Sequence, residues 1–331
     1  MEAFITVLPL LILVAVQDVL TGIFGAPSIV ATMIASRAME PRRAIYLSTI
    51  AQLIGPLLFG VAVASTIGSE VVDADGVTPA VLNAALASTV FWMLFSWYFR
   101  IPSSSTHALL GGLVGAVLAA LGPDAIHSAG LIKILVSLTF TVPLGIIGGF
   151  IATNLCYWLA RNATPQVNER FNQGQLLMSV LLGFVIGSNN AQSAMGMMTM
   201  GLVAAGMLPS FEVPLWVMIG SAACLALGNL IGGMRIMGSV GTKFFRIRPI
   251  HGFSAELSST AIILISSLLG GNVSTTHVTS MSIIGAGAAE RISMVRWGFV
   301  RKVLMTWVFT IPATAICAAL VYKLLGLFGN V

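Results

Sequence analysis

Ten apolar runs, at approximately residues 3–36, 44–68, 78–99, 104–121, 131–160, 174–207, 213–234, 253–270, 273–289 and 299–328, take up almost all of this 331-residue chain. A helix that crosses the hydrocarbon layer needs about 20 such residues. The chain has room for roughly ten to twelve crossings and for no large soluble domain. Charged residues make up 8% of it, against about 25% in a soluble domain, too few to coat a water-facing surface. A soluble enzyme, a disordered chain and a nucleic-acid-binding module are excluded. What remains is an all-α polytopic membrane protein embedded in a lipid bilayer. The net charge of +5 does not argue for nucleic acid, because the bases sit in short loops. Glu2 stands where a signal peptide would be basic, and no small-x-small cleavage site ends the first run. Cys156, Cys224 and Cys317 lie in separate apolar runs and read as packing residues.

The loops give orientation. All but Lys133 and Lys323 of the 16 lysines and arginines fall at 37–43, Arg100, 161–173, 235–248 and 290–302. The alternate loops are acidic or neutral, with Glu70, Asp73 and Asp75, then Asp124, then Glu212. Every second loop is therefore cytoplasmic. Residues 1–160 make about five passes and residues 174–331 about five more, joined by a cytoplasmic linker at 161–173. An odd number of passes per half turns the second half upside down relative to the first. The halves also share sequence. Ser104-Ser105-Thr106-His107 with Gly115-Ala116 repeats as Ser274-Thr275-Thr276-His277 with Gly285-Ala286, and Phe140-Thr141-Val142-Pro143 as Phe309-Thr310-Ile311-Pro312. Lys133 falls opposite Lys302, and Gly22 with Gly25 opposite Gly187 with Asn190. Two inverted-topology repeats are the architecture of secondary transporters, which use two near-equivalent packings for alternating access. The first and sixth runs exceed one straight span. They contain Gly25-Ala26-Pro27 and Ser188-Asn189-Asn190, where broken or re-entrant helices are expected at the midplane.

The chemistry concentrates in a few positions. Ser104, Ser105 and Thr106, and Ser274, Thr275 and Thr276, each precede a short apolar helix. Free backbone N–H groups, the positive helix pole and hydroxyl donors together suit an anion, although Ser and Thr are also ordinary N-caps. In inverted halves the two tracts converge. His107 and His277 either donate to substrate or gate it, or simply orient the turns. Asn189 and Asn190 are candidate substrate ligands or caps of an interrupted helix. Asp18 and Glu256 are the acids within apolar runs, where a carboxylate is costly and functional by default. Asp18 suits a coupling ion or proton. Glu256, after Arg248 and His251, suits that role or a salt bridge. No catalytic or metal-ligating cluster stands out, and no cofactor is expected. The chain is not read as an enzyme.

The sequence resembles the inorganic phosphate transporter family in its compact bacterial form. The resemblance rests on Pro102-Ser103-Ser104-Ser105-Thr106-His107-Ala108-Leu109-Leu110-Gly111-Gly112, Asn189-Asn190-Ala191-Gln192-Ser193-Ala194-Met195-Gly196, His251-Gly252-Phe253-Ser254-Ala255-Glu256 and Val273-Ser274-Thr275-Thr276-His277, and covers nearly the whole chain. It implies a multi-pass symporter of the inner (plasma) membrane that takes up orthophosphate with H+ or Na+, often as a homodimer. An Asn-Asp or His-Asp pair usual in each half reads here Phe24-Gly25 and Asn189-Asn190, and the lysine after Ala-Gln reads Ser193. Asp18 and Glu256 match family acids. Phosphate near neutral pH carries a proton that an acceptor can select, whereas sulfate does not. Loss of acceptors therefore leaves a sulfate permease as the alternative substrate reading. A non-transporting oxyanion sensor or accessory membrane subunit is the alternative outside transport.

Overall fold

The computed structural model describes residues 2–72, 76–99, 101, 103–236, 247–295 and 297–327. Asp73, Asp75, Arg100, Pro102, Lys243, Arg246 and Arg296 of the sequence reading lie outside them, as does the side chain of Lys302. Among the described residues the fold is helical, with one isolated β-bridge between Val72 and Ile126. The helices are α1 (Glu2–Ala35), α2 (Pro41–Ile54), α3 (Ala62–Ser65), α4 (Pro79–Tyr98), α5 (Ser105–Leu121), α6 (Ser128–Leu159), α7 (Val167–Ala204), α8 (Leu215–Ile236), α9 (Pro249–Leu268), α10 (Thr275–Glu290) and α11 (Trp297–Leu327).

Six of these, α1, α4, α6, α7, α8 and α11, are long and apolar enough to span a membrane. The segment from α2 to Glu70 is a seventh candidate, bent by 63°. At 1.5 Å per residue α5 and α10 are only about 25 Å long, short of the ~30 Å hydrocarbon layer. The outer surface is apolar, with Phe140, Leu159, Ile316 and Leu320 each more than half exposed. The protein is integral to the membrane.

The two long runs do not break where expected. α1 passes through Gly25-Ala26-Pro27, and α7 passes through Ser188-Asn189-Asn190, without interruption. A membrane helix tolerates proline because neighbouring groups take up the freed carbonyl. In α7 the polar side chains find partners that leave the backbone ladder intact. Ser188 accepts from Gln192 one turn on (2.8 Å), Asn189 donates to Ser267 (2.8 Å), and Asn190 accepts from Thr275 (3.2 Å). The interruptions fall instead between α4 and α5 and between α9 and α10, where the hydroxyl tracts lie. α9 ends at Gly270, whose φ of +76° suits glycine and whose missing side chain leaves room for Thr66 and Lys133. α7 begins at Val167, within the stretch read as linker.

Packing pairs α5 with α11, α10 with α6, α1 with α8, and α7 with α2. Glycines make each contact close, as expected of helices in lipid. Gly111 and Gly115 meet Ile311, Thr314 and Ala315; Gly285 meets Ile146; Gly22 meets Leu225 and Gly228; Gly187 meets Gln52. Two apolar clusters result. One holds Val7, Leu10 and Val14 of α1 with Ala191, Met195 and Met198 of α7. The other holds Ile29, Val30 and Met33 with Leu182, Val185 and Ile186. Between them α1 and α7 carry a buried polar layer of Gln17, Asp18, Thr21, Ser188, Asn189 and Asn190.

Candidate functional site

The two hydroxyl tracts meet in this polar layer. The rings of His107 and His277 stand edge to face, 5.2 Å between centroids. Thr106 donates to the carbonyl of Val273 (3.4 Å), and Thr275 donates to Asn190 (3.2 Å). The starts of α5 and α10 are thus neighbours despite their separation in sequence. Both histidines are buried.

Around the start of α5 lies a crevice walled by Gln17 and Thr21 of α1, Ser105, Thr106 and Leu109 of α5, and Asn190 and Ser193 of α7. It is closed down, with no space wide enough for a water molecule. No charged side chain lines it. Two of its buried atoms, Gln17 Oε1 and Thr21 Oγ1, have no hydrogen-bond partner. Buried polar atoms are almost always paired, so these two are candidates to meet a polar guest. Near it Asn189 Oδ1 and the hydroxyl of Ser274 also lack partners. The pole of α5 supplies N–H donors and a positive dipole without a fixed charge. Such a site suits a small oxyanion.

The expected site residues divide accordingly. Ser105, Thr106 and Asn190 line the crevice, and Thr275 reaches it through Asn190. Ser104 caps α5 by accepting from the His107 N–H (3.4 Å). Ser274 occupies the matching position of α10 without a side-chain cap bond. Thr276 is half-buried and stands beside this contact rather than among the crevice residues. Asn189 turns toward α9 and Ser267. Gly25 is buried, and a methyl group there would stand 3.6 Å from Asn190 Nδ2, an ordinary contact. Among the described residues Glu256 makes no salt bridge, and Arg248 pairs instead with Glu290. It accepts instead from Thr32, from Ser179 (2.6 Å) and from Gln175 (3.2 Å), which ties α9 to α1 and α7. Asp18 lies on another side of α1 from Gln17 and Thr21, against α8, in a separate cavity.

Gln17, Thr21 and Ser193 were not among the expected ligands. The signal was a polar pair four residues apart inside an apolar run, which places Gln17 and Thr21 on one helical face. Asn272 is a further one: its side-chain oxygen accepts from Ser193 (3.2 Å) and links the loop before α10 to α7.

An apolar helical bundle with a buried, uncharged polar crevice beside two meeting helix starts defines an integral membrane protein with a polar interior. Residues 21–318 match the model of the phosphate transporter family. A probable low-affinity inorganic phosphate transporter of Rhizobium meliloti (strain 1021) is 39% identical over 95% of this chain and 96% of its own. One of Bacillus subtilis (strain 168) with the same description is 36% identical over 94% of each. A solved structure, "The sodium-dependent phosphate transporter", shares the fold with a TM-score of 0.88 at 22% identity, over 99% of this chain and 100% of that one. The chain belongs to the phosphate transporter family, whose members are transporters and not enzymes.

Proposed function

We propose that the protein carries orthophosphate across the plasma membrane by cation-coupled alternating access, and that the anion binds in the crevice at the start of α5. The observation that carries this is the pair of buried, partnerless acceptors on α1, Gln17 and Thr21, facing the donor-rich helix pole. The pole, Ser105, Thr106 and the amide of Asn190 serve the anion's oxygens. Gln17 offers an amide oxygen for the phosphate's own proton, a neutral substitute for the carboxylates missing at Gly25 and Asn190. Sulfate has no proton to give it, which favours phosphate.

The crevice must widen to admit an anion. Two inverted halves, 1–160 and 174–331, moving against each other would widen it to alternate sides. This reading draws support from helix boundaries and packing. α4 and α5 begin at Pro79 and Ser105, and α9 and α10 at Pro249 and Thr275, 170 residues on in each case. The pairing of α5 with α11 is matched by that of α10 with α6, and the pairing of α1 with α8 by that of α7 with α2.

For coupling, Asp18 is the better placed acid. Ser221 is the donor beside it, at marginal geometry, and Asp18 is adjacent in sequence to Gln17 of the crevice. Glu256 is occupied by three donors and acts first as a joint. A proton on Asp18 is the coupling event this arrangement favours, with Na+ as the other candidate. His107 and His277, in contact between the tracts, are placed to gate.

The test is uptake of radiolabelled phosphate into proteoliposomes with imposed H+ or Na+ gradients and sulfate as competitor. Uptake driven by an inward proton gradient, and resistant to excess sulfate, is expected. Stronger uptake of sulfate would overturn the substrate, and indifference to both gradients would overturn the coupling.

A further inference from the structure

Between α1, α7 and α8 lies a cavity of about 290 Å³, apart from the anion crevice. Its walls are Leu11, Val14, Ala15 and Asp18 of α1, Met198 of α7, and Trp216, Val217, Gly220, Ser221 and Cys224 of α8. That volume is near the lower end of small-molecule pockets. Trp216 and Gly220 are exposed, and so are Ile12, Leu215 and Ile219 beside them. The cavity therefore opens sideways on the apolar surface of the bundle, toward lipid rather than toward either aqueous phase.

Asp18 is the one charged residue in this wall, and it is 1% exposed. The Ser221 hydroxyl is the donor beside it, at a geometry outside the ordinary hydrogen-bond limits, and the rest of the wall is apolar or backbone. An ionised carboxylate buried without a partner is among the most costly arrangements in a membrane. An inorganic cation would need several oxygen ligands, and the wall offers only Asp18, Ser221 and backbone. An ammonium head needs few acceptors, and its hydrocarbon body matches the remaining surface. Trp216 adds an aromatic surface, which favours cations.

We propose that this cavity is a second binding site, reached from the bilayer, for an amphiphilic amine: an ammonium head paired with Asp18 and an alkyl or aryl body against Leu11, Val14, Met198 and Val217. An occupant would wedge between α1 and α8, one of the pairs whose close glycine contacts join residues 1–160 to residues 174–331. It would also neutralise the acid proposed for coupling, so amines of this class should inhibit uptake. Binding itself is independent of the transport reading and is what the experiment measures.

The probe is a decyl ammonium compound carrying a diazirine in its tail, photolysed with the full chain in nanodiscs and mapped by mass spectrometry. Adducts are expected on 11–18 and 216–224. Unlabelled decylammonium should displace the probe about tenfold better than decanol, which has the same body without the charge. Asp18→Asn should abolish that preference. Should that variant fold poorly, Gly220→Leu gives an independent check. No atom lies within 4 Å of a Cβ added at Gly220, so a leucine starts there from open space beside the cavity wall and is expected to cover its mouth. It should remove the adducts while leaving the melting temperature unchanged. Adducts elsewhere, equal displacement by decanol, or undiminished labelling of Gly220→Leu would overturn the proposal.

Discussion

Glu256 accepts hydrogen bonds from Thr32 on α1 and from Gln175 and Ser179 on α7, whereas Asp18, equally buried, has the Ser221 hydroxyl beside it at marginal geometry and otherwise faces an apolar cavity. Both carboxylates pay the desolvation of a membrane interior. Glu256 offsets it with donors drawn from two other helices, and so joins three helices at one point. Asp18 has no such compensation and is completed only by a proton or a cation. The contrast separates an acid that holds the fold from an acid that changes state.

The largest effect should come from breaking the first of these. Glu256→Ala leaves Thr32 and Gln175 without their acceptor, at about 1–3 kcal/mol each, while Ser179 falls back on the Gln175 carbonyl. We expect a fall in melting temperature of more than about 10 °C, or loss of folded protein. Glu256→Gln, which keeps one acceptor and the shape, should lie between it and wild type. Thermal unfolding in detergent distinguishes them, and an unchanged Glu256→Ala would end the joint reading.

Next comes the acid that changes state. Asp18→Asn should lose gradient-driven uptake by at least about tenfold while retaining wild-type thermal stability, because it removes a buried charge and leaves an amide oxygen to accept from Ser221. Equal loss of stability in Asp18→Asn and Glu256→Gln would erase the distinction between the two acids.

A smaller effect is expected one residue away, on the crevice side of α1. Gln17→Leu removes the acceptor for the phosphate proton, so the preference for phosphate over sulfate should fall roughly fivefold to tenfold, about 1 kcal/mol. Competition in the uptake assay reads it. Smallest of all is Gly25→Ala. Its methyl group meets Asn190 at ordinary contact distance, so half-saturation should move by less than about threefold. A large shift would mean that the crevice is tighter there than the structure has it.

Much of this was legible in the residues. Too little charge for a water-facing surface forced the membrane, and the repeated Ser-Thr-His tract pointed to two helix starts that the structure brings side by side. Thr106, Asn190 and Thr275 stand where that reasoning put them. The two interior breaks did not. Ser188, Asn189 and Asn190 look in sequence like an interruption, yet their partners Gln192, Ser267 and Thr275 let the helix continue. Two of those partners come from α9 and α10, some 80 residues away, and no local pattern reveals them. The direction of Asp18 was equally hidden. Successive residues on a helix point about 100° apart, so Gln17 faces the crevice and Asp18 faces α8, and only the packed positions of α5 and α8 decide which face is which. Glu256 was visible as a buried acid, but its three donors were not.

The account rests on phosphate being held by the start of α5. The direct measurement is the concentration dependence of phosphate uptake in proteoliposomes for wild type and for a Ser105→Ala, Thr106→Ala double variant of matched melting temperature. Half-saturation should rise by at least about tenfold, the loss of two hydroxyl hydrogen bonds at roughly 1 kcal/mol each. An unchanged half-saturation in the folded double variant would place the anion elsewhere and contradict the site.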